Sequence, residues 1–441
     1  MELGARPGRW DGREKQWPAG LCVDNFCILT TRSRVQSKRY VTRLAVGPVP
    51  ETERCTVDEP HYGTAERRRI VGEESYRQEG VSMLDTPQKT ERYTVDTCTD
   101  RRAWNDFVER NDGPAYNHWA WSDAIASYGH DRWHLVARHR ETDAIAAALP
   151  LYHVESRLFG SKLLSPAFAE RGSVVVDESR QSPKAKRLLL EQTKRMAAEL
   201  GTDYVSLRGG QETDADDFST KNRYVTFRAS TDEGADAVWD GIRDSRQRQI
   251  TQAADNDAME FSVAESIEDL ETYYQLYLRT MHRHGSPAHS FEFFRTLWDG
   301  LGDSGHFRLS MMLHEGEAIN AMIDLSLGST VYQWGVVNNY DYRDLNGGSY
   351  LLWKSLERAA EDGFDTYEFG RTREGSGVYM FKKSFGGTKT WYEDLHYFPG
   401  EAVGLPDPEA DKYERAKEVW KRLPLSVTRV VGPQVRKQIG I

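Results

Sequence analysis

Six residues in the last third of the sequence have the types and spacing needed to hold a phosphate-bearing ligand. Gly347 and Gly348 stand at the predicted start of a helix, where residues without Cβ let free backbone N–H groups approach a ligand closely. The helix dipole favours negative charge at the same end. Four positive charges follow the next predicted strand, at Arg371, Arg373, Lys382 and Lys383. A phosphate or pyrophosphate would fit this combination.

The stretch from Thr330 to Gly387 supplies the elements that must position these residues. An apolar, β-branched and aromatic run from Thr330 predicts a strand, which Asn338 ends with turn chemistry. Apolar residues recur at helical spacing after Gly348, and Gly363 stands where a left-handed cap residue would end the helix. Residues 366–369 predict the next strand. If the two strands are parallel, the glycines and the charges face the same end of the sheet, where open α/β sheets usually bind ligands.

This order of strand, glycine-containing loop, helix, strand, short helix and closing strand resembles the acyl-CoA-binding half of a GNAT acyltransferase. The sequence FGRTREGSGVYMFKKSFG more closely resembles the FemAB-related proteins, whose two tandem GNAT-like lobes transfer acyl or aminoacyl groups. The resemblance runs from roughly Met83 to the C-terminus and includes ALPLYHVESRLFGSKLLSPAF, RQRQITQA, TMHRHGSP and KRLPLSVTRVVGPQVRKQIG. One departure disfavours acetyl-CoA as donor. The usual GNAT phosphate loop reads Arg or Gln, two residues, Gly, one residue, Gly or Ala, whereas three residues separate Arg343 from the glycines here.

The resemblance implies an α/β fold of mixed sheets arranged as two tandem GNAT-like lobes. We expect residues 1–82 to be a disordered or spurious N-terminal extension, because turn formers and scattered arginines show no sustained period there. Residues 83–235 would form the N-terminal lobe and residues 236–400 the C-terminal acyltransferase lobe. Ser156 to Gly172 resembles the family's loop region, and the stretch from Asp236 to Asp255 predicts a helix that bridges the lobes. Residues 401–441 would form a tail, with a charged helix from Asp407 to Arg422 and a short basic and apolar segment after it.

Acyl transfer to an amine requires a protein to hold the donor, orient or deprotonate the amine, and stabilise the tetrahedral oxyanion. The candidates for binding substrate or donor are Arg246, Arg248, Gly347, Gly348, Arg371, Arg373, Lys382 and Lys383. The candidates for catalysis are Glu368, Tyr332 and His284. Salt bridges, packing or buried hydrogen bonds are the competing explanations for each of these side chains. A neutral bound amine needs only modest help, so a strict general base is not required.

The leading hypothesis is a FemAB-related N-acyltransferase that acylates or aminoacylates an amino group of an envelope, glycan-precursor or small-metabolite acceptor. Acyl-CoA or aminoacyl-tRNA would be its donor, with no tightly bound cofactor. The first alternative is an ordinary acetyl-CoA-dependent GNAT N-acetyltransferase. The second is a module without catalytic activity that binds a nucleotide- or lipid-linked sugar. The sequence leaves the donor, the acyl group and the acceptor open.

Composition narrows the possible partners. Residues 1–82 carry 14 Lys and Arg against 12 Asp and Glu, which leaves 44 against 56 in residues 83–441. An acidic body disfavours non-specific nucleic-acid binding, so we expect no DNA partner, although a local basic cleft could bind one end of a tRNA. The mean hydropathy is −0.68, and we expect a cytoplasmic protein. The alternative is a cytoplasmic protein that also contacts the membrane surface through its basic and apolar tail.

Metal and disulfide chemistry have no support in the sequence. The four cysteines, Cys22, Cys27, Cys55 and Cys98, show no C-x-x-C spacing, and the histidines lack metal-ligand spacing. There is also no Walker loop, H-E-x-x-H motif or nucleophile elbow. The sequence therefore predicts no metal site and a reducing compartment.

Overall fold

The computed structural model describes residues 92–440 apart from 157–158, 178–182, 211–216, 402–404 and 406–410. The predicted disordered or spurious extension, residues 1–82, lies outside this described part. The described residues form a mixed α/β fold around one large sheet, in agreement with the predicted fold class.

The strands of this sheet, in chain order, are β1 Tyr93–Thr97, β2 Asp131–His139, β3 Ile145–Ser156, β4 Gly160–Ser165, β5 Val175–Val176, β6 Tyr204–Gly210, β7 Ser219–Ser230, β8 Met259–Val263, β9 Phe307–His314, β10 Glu317–Leu327, β11 Thr330–Asn338, β12 Thr366–Glu368 and β13 Thr388–Tyr397. The α-helices are α1 Arg101–Arg110, α2 Trp119–Ala126, α3 Pro183–Glu199, α4 Ala235–Gly241, α5 Asp244–Ala254, α6 Ile267–His284, α7 Phe291–Leu301, α8 Gly347–Glu361, α9 Gly377–Lys383, α10 Asp411–Arg422 and α11 Leu425–Ile439.

The strand order joins the two halves of the chain in one hydrogen-bonded sheet. The order is β1-β2-β3-β4-β6-β13-β7-β12-β11-β10-β9-β8, and β5 pairs with β3 outside this path. β13, from the second half of the chain, lies between β6 and β7 and pairs with both in antiparallel fashion. β7 ends before the predicted lobe boundary at residue 235, yet it lies beside β12. The division into residues 83–235 and 236–400 therefore stays a prediction.

Apolar side chains of both sheet faces are covered by helices. Along β10, Ile323 packs into the cluster that contains Leu270 and Tyr273 of α6, whereas Met322 packs into the cluster that contains Leu352 of α8. This alternation follows from the two-residue period of a strand. Each large side chain that is fully buried in this way stabilises the fold by about 1.5–3 kcal/mol.

The central strand, helix and strand form as their sequence predicts. β11 and β12 are parallel, with Tyr332 opposite Glu368 in the register. Gly363 follows α8 with a φ of 81°, a left-handed conformation that glycine adopts without strain. α6 starts at a reciprocal capping box between Ser266 and Asp269 and ends at left-handed Gly285.

Three expected elements differ from the structure. The helix predicted from Asp236 to Asp255 is two helices, α4 and α5, because Ile242 takes an extended conformation between them. The region predicted as a loop, Ser156 to Gly172, contains β4, which pairs with β3 and β6. The basic segment at the end of the tail is a 15-residue helix, α11.

The tail lies on the folded body. Thr428, Gly432, Arg436 and Ile439 of α11 are buried. Among the helices that the structure describes, none is long and apolar enough to cross a membrane.

Candidate active site

Glu368 lies at the centre of a buried polar cluster where the two halves of the chain meet. It ends β12, opposite Tyr332 of β11 on one side and Arg228 of β7 on the other. Its carboxylate is about as buried as a core side chain, with the residue 1% exposed. A charge in such a place requires partners, because an isolated buried carboxylate is very costly.

Three side chains supply those partners. Arg171 donates a hydrogen bond of 2.9 Å from Nη1 to Oε2 of Glu368, and Nε of Arg228 lies 3.6 Å from the same oxygen. The hydroxyl of Tyr392 on β13 donates to Oε1. Burial lowers the pKa of Arg171, but the Glu368 carboxylate together with Tyr332 and Tyr392 outweighs this effect, and the pKa is raised overall.

The segment from Phe168 to Arg171 connects this cluster to the predicted anion-binding loop. The backbone N–H of Arg371 donates to Oε2 of Glu170 at 2.9 Å, and its Nη2 donates to the carbonyl of Ala169 at 2.7 Å. Gly370 has a φ of 68°, and a Cβ there would lie 2.4 Å from Oε2 of Glu170. Any larger residue would therefore push Glu170 away from the end of β12.

Lys382 points into the same region. Its Nζ donates to the carbonyls of Gly370 at 3.0 Å and Arg371 at 3.3 Å. Burial lowers the pKa of Lys382 to about 8, although Glu170 and Glu368 oppose this effect. Lys382 therefore fixes the backbone after β12, and its direct role in binding a ligand stays a prediction.

The other two predicted charges of this group lie nearer the surface. Lys383 is exposed, and its Nζ lies 5.8 Å from the centre of the Tyr379 ring. The guanidinium groups of Arg371 and Arg373 lie 5.0 Å and 5.6 Å from the ring of Tyr224. A tyrosine face attracts cations at such distances.

Tyr332 is a neutral member of the cluster. Burial raises its pKa to about 12, so its hydroxyl keeps its proton at neutral pH. Its ring packs edge-on against Tyr116 with centroids 5.8 Å apart. Tyr332 and Glu368, both predicted as catalytic, are thus brought together by the parallel pairing of β11 and β12.

The third predicted catalytic residue, His284, lies elsewhere. It ends α6, and its Nε2 lies 3.1 Å from the hydroxyl of Tyr340. Tyr340 follows the end of β11 that is distant from Tyr332, about 20 Å away by the rise of an extended strand. Burial lowers the pKa of His284 to about 4. The structure therefore does not bring His284 to Glu368.

Arg246 organises a second group of predicted binding residues. Its Nε donates to Oγ of Ser384 at 2.9 Å, and its Nη1 donates to Oγ of Ser349 at 2.7 Å and to Gln249 at 2.6 Å. The guanidinium stacks over Phe381 at 4.5 Å, and burial lowers its pKa. Arg246 thus ties α5 to the first turn of α8 and to the end of α9.

The glycines at the start of α8 lie in this second group. Asn346 precedes the helix with a left-handed φ of 57° and makes no side-chain capping bond. A Cβ at Gly347 would lie 2.3 Å from Oδ1 of Asn320, and one at Gly348 would lie 3.4 Å from Oδ1 of Asn338. Because the first N–H groups of a helix lack intrahelical partners, they are available to a ligand.

Arg248 is exposed on the neighbouring face of α5. With Trp239, Gln247 and Gln252 it lines an open groove of about 660 Å³. Gln252 also accepts a hydrogen bond from the side chain of Asn346 at 3.3 Å. The groove therefore adjoins the start of α8.

A cavity of about 930 Å³ reaches the Glu368 cluster from the other half of the chain. Arg171 and Arg228 line it, together with Gly209. The remaining lining residues come mainly from α1 and the residues after it, the β2–β3 turn and the segment around β5: Ala103, Asp106, Phe107, Arg110, Asn111, Asp112, Gly113, Pro114, Arg138, Asp143, Ala144, Ile145, Ser173, Val174, Val175, Val176 and Asp177. A volume of this size can hold a small-molecule substrate.

Sequence reasoning missed four members of the cluster: Glu170, Arg171, Arg228 and Tyr392. Glu170 and Arg171 lie in the region Ser156 to Gly172, which resembles the family's loop region, so their charges in that loop were the available signal. Arg228 and Tyr392 had no local signal, because strand pairing brings them to Glu368. Among the described residues, no group of three or more His, Cys, Asp or Glu could hold a metal ion.

Comparisons with known proteins support the architecture. Residues 240–383 match the family model described as an acetyltransferase (GNAT) domain. A search of curated proteins gave no match. The solved structure of FemX is 14% identical, with a TM-score of 0.55, and the match covers 69% of this chain and 97% of that chain. This likeness confirms the fold with two tandem GNAT-like lobes.

Two further solved structures match at 12% identity. One is L-PGS from Bacillus licheniformis, where the match covers 78% of this chain and 98% of that chain with a TM-score of 0.47. The other is a tandem GNAT protein from the clavulanic acid biosynthesis pathway, where it covers 70% and 99% with a TM-score of 0.46.

Proposed function

We propose that this chain, a FemAB-related acyltransferase of the GNAT superfamily, transfers an acyl or aminoacyl group to an amino group of an envelope, glycan-precursor or small-metabolite acceptor. One observation carries the proposal. Arg171 and Arg228 both line the 930 Å³ cavity and both contact the buried carboxylate of Glu368. The acceptor amine enters through this cavity.

The chemistry requires a stabilised oxyanion. The amine nitrogen attacks the acyl carbonyl, a C–N bond forms, and the bond from carbon to the donor's sulfur or oxygen breaks. The proton that the nitrogen loses goes to the leaving group or to water. Arg171 and Arg228 supply positive charge for the oxyanion, and Glu368 keeps both guanidinium groups oriented. A fixed donor of this kind is worth about 10²- to 10³-fold in turnover.

The donor binds at the start of α8. The backbone N–H groups of Gly347 and Gly348 and the charges of Arg246 and Arg248 receive its phosphates. α9 links this place to the Glu368 cluster, because Arg246 bonds to Ser384 while Lys382 bonds to the backbone after β12. Both acyl-CoA and the 3′ end of an aminoacyl-tRNA carry phosphates that suit this place.

An ordinary acetyl-CoA-dependent N-acetyltransferase is the second candidate, since the family model over residues 240–383 is described as an acetyltransferase domain. Binding of the full chain to acetyl-CoA, a longer acyl-CoA, an aminoacyl-tRNA mixture and UDP-sugars, measured by calorimetry in high and low salt, separates the two. Tight binding of acetyl-CoA in preference to the longer acyl-CoA favours the acetyltransferase. Binding of tRNA or a nucleotide sugar alone favours the Fem-type transfer, or a binding module if no transfer follows.

Turnover tests the cavity itself. With the donor identified, Arg228→Gln should lower kcat at least about tenfold, because the oxyanion loses one of the positive charges that stabilise it. Arg138, which lines the same cavity but pairs with Asp96, provides the matched control. Equal turnover in wild type and Arg228→Gln would remove the cavity from the reaction.

The tail supplies a peripheral membrane contact. Val427, Val430 and Val431 of α11 are exposed beside the exposed Arg429. Exposed apolar side chains with neighbouring positive charge bind the surface of anionic bilayers. Sedimentation with vesicles that contain phosphatidylglycerol should deplete the wild type and spare Val430→Asp. Equal sedimentation of both proteins argues against this surface.

A further inference from the structure

The last residues of α11 lie against the segment that carries Glu170 and Arg171. The carbonyl of Gly440 accepts a hydrogen bond of 3.3 Å from the backbone N–H of Phe168. Gly440 has a φ of 68°, and a Cβ there would lie 2.9 Å from both Leu164 and Val154. Only glycine fits this place without displacing its neighbours.

A buried lysine holds the end of the same helix. Nζ of Lys162, on β4, donates to the carbonyl of Ile439, and Lys162 is 1% exposed. A lysine at a helix C-terminus satisfies a carbonyl that lacks an intrahelical partner and complements the dipole. Lys162 lies on the strand that leads directly into the segment of Phe168.

Arg436 fixes α11 one turn earlier. Its Nε donates to Nε2 of His289 at 3.1 Å, and its guanidinium lies 5.7 Å from the centre of the Phe168 ring. His289 is buried, and its Nδ1 lies 2.9 Å from the hydroxyl of Tyr128. Because Arg436 can only donate, Nε2 of His289 accepts and Nδ1 carries the proton that reaches Tyr128.

The segment then transmits this placement to the cluster. Phe168 has a left-handed φ of 58°, which a non-glycine residue keeps only where its surroundings hold it. The next three residues contact the cluster: Ala169 accepts from Arg371, Glu170 accepts from the Arg371 backbone, and Arg171 donates to Glu368. The end of the tail is thus one residue away from the first of these contacts.

We propose that Lys162 and Arg436 are positioning residues, which use the C-terminal end of α11 to hold residues 168–171 in the conformation that presents Arg171 to Glu368 and the cavity. They touch neither the cavity nor the reacting atoms. This role rests on the proposed function for its catalytic consequence, whereas the placement of residues 168–171 is independent of any activity.

Hydrogen exchange on the full chain measures that placement directly. In Lys162→Met, we expect protection of the amides of Phe168 and Arg371 to fall at least about tenfold, while amides in α8 keep theirs. Lys162→Arg retains a donor and should restore part of the protection. The control is Lys194→Met, because Lys194 is also largely covered but pairs with Glu191 and Asp217 instead of the end of α11.

If Lys162→Met does not fold, a second and smaller change tests the same placement of residues 168–171. Gly440→Ala adds one methyl group against Leu164 and Val154 and leaves every charge in place. Loss of protection limited to residues 168–171 and 371 in either variant supports the proposal, and unchanged protection at Phe168 in a folded variant overturns it.

Once an acyl-transfer assay exists, kcat adds a separate reading. The positioning role predicts a lower kcat in Gly440→Ala with little change in the KM for the donor, which binds at α8. Lost protection with unchanged kcat would support the positioning role of α11 but reject the cavity as the reaction site. Unchanged protection with a lower kcat would reject the positioning role.

Discussion

Arg171 and Glu368 are 197 residues apart in sequence and 2.9 Å apart in the fold. The pair joins the segment after β4 to the end of β12. It therefore links the two halves of the chain where the cavity reaches the Glu368 cluster. Arg228 shares the same carboxylate oxygen from β7. Breaking this arrangement should affect both stability and chemistry, and the two effects can be measured separately.

Replacement of Glu368 by Gln should lower the free energy of unfolding by about 3–5 kcal/mol. The variant leaves the Arg171 and Arg228 guanidinium groups without their buried carboxylate, which costs more than the pair itself contributes. Denaturant unfolding measures the loss, and Glu368→Gln combined with Arg171→Met should recover part of it. Asp299→Asn, which removes the exposed partner of Arg295, should cost less than about 1 kcal/mol. If Glu368→Gln and Asp299→Asn cost the same, the guanidinium groups of Arg171 and Arg228 do not depend on the Glu368 carboxylate.

Lys382 and Lys383 are adjacent in sequence but have different surroundings, which makes them a matched pair. Lys382→Ala should lower turnover at least about tenfold, because the carbonyls of Gly370 and Arg371 lose the donor that fixes the backbone after β12. Arg371→Ala should do the same through its contact with Ala169. Lys383→Ala removes an exposed charge and should leave turnover within about twofold. Steady-state kinetics on folded variants, checked by thermal unfolding, would reject this site if Lys382→Ala and Arg371→Ala both kept full turnover.

Gly348→Glu should weaken donor binding at least about tenfold. The new carboxylate would lie at the N-terminus of α8, where it repels a phosphate and competes for the free N–H groups. Gly400→Glu is the control, because a Cβ at Gly400 meets nothing within 4 Å and its φ is not left-handed. Calorimetric titration with acyl-CoA compares the two. Identical affinities in Gly348→Glu and wild type would move the donor away from α8.

Asp324 should make stability depend on pH. Burial raises the pKa of this carboxyl to about 6, although Ser355 and Tyr367 donate hydrogen bonds to it. The pKa of this carboxyl in the unfolded chain is near 4, and below that pH both the folded and the unfolded protein hold the proton. Between about pH 4 and 6 the unfolded chain loses the proton while the folded protein keeps it. Asp324 therefore stabilises the fold less as pH rises through this window, by roughly 3 kcal/mol in all.

The comparison variant for this effect is Asp324→Asn, which cannot ionise. Its stability relative to wild type, measured by denaturant unfolding, should rise between pH 4 and pH 7 and then level off. The surface variant Asp299→Asn should show a flat difference over the same range. A flat difference for Asp324→Asn as well would mean that Asp324 ionises as easily in the fold as in the unfolded chain.

The local elements of the second half were predictable because their signals are local. The apolar spacing of α6, the glycines before α8 and the β-branched run of β11 each depend on neighbours in sequence. The cluster was predictable only in part. Tyr332 and Glu368 lie within one strand–helix–strand unit, and Arg371 and Lys382 follow it directly in the sequence.

The rest could not be read from spacing. Arg228 and Tyr392 reach Glu368 through the pairing of β7 with β12 and with β13, and nothing in either strand specifies its partner. β4 could not be predicted because it lies in a region rich in small and polar residues, which do not favour a strand. α11 was missed because Gly432 and Pro433 weaken its helical signal, while its contacts with the folded body stabilise it.

The position of β13 has a consequence during synthesis. β6 and β7 leave the ribosome long before Thr388–Tyr397 can pair with either of them, and at usual elongation rates the delay is on the order of ten seconds. For most of that time the nascent chain presents one open edge of β6 and both edges of β7, whose other neighbour β12 is also made late. Open strand edges are templates for pairing with other chains. A messenger truncated before codon 388 would yield a product that aggregates rather than a stable amino-terminal fragment.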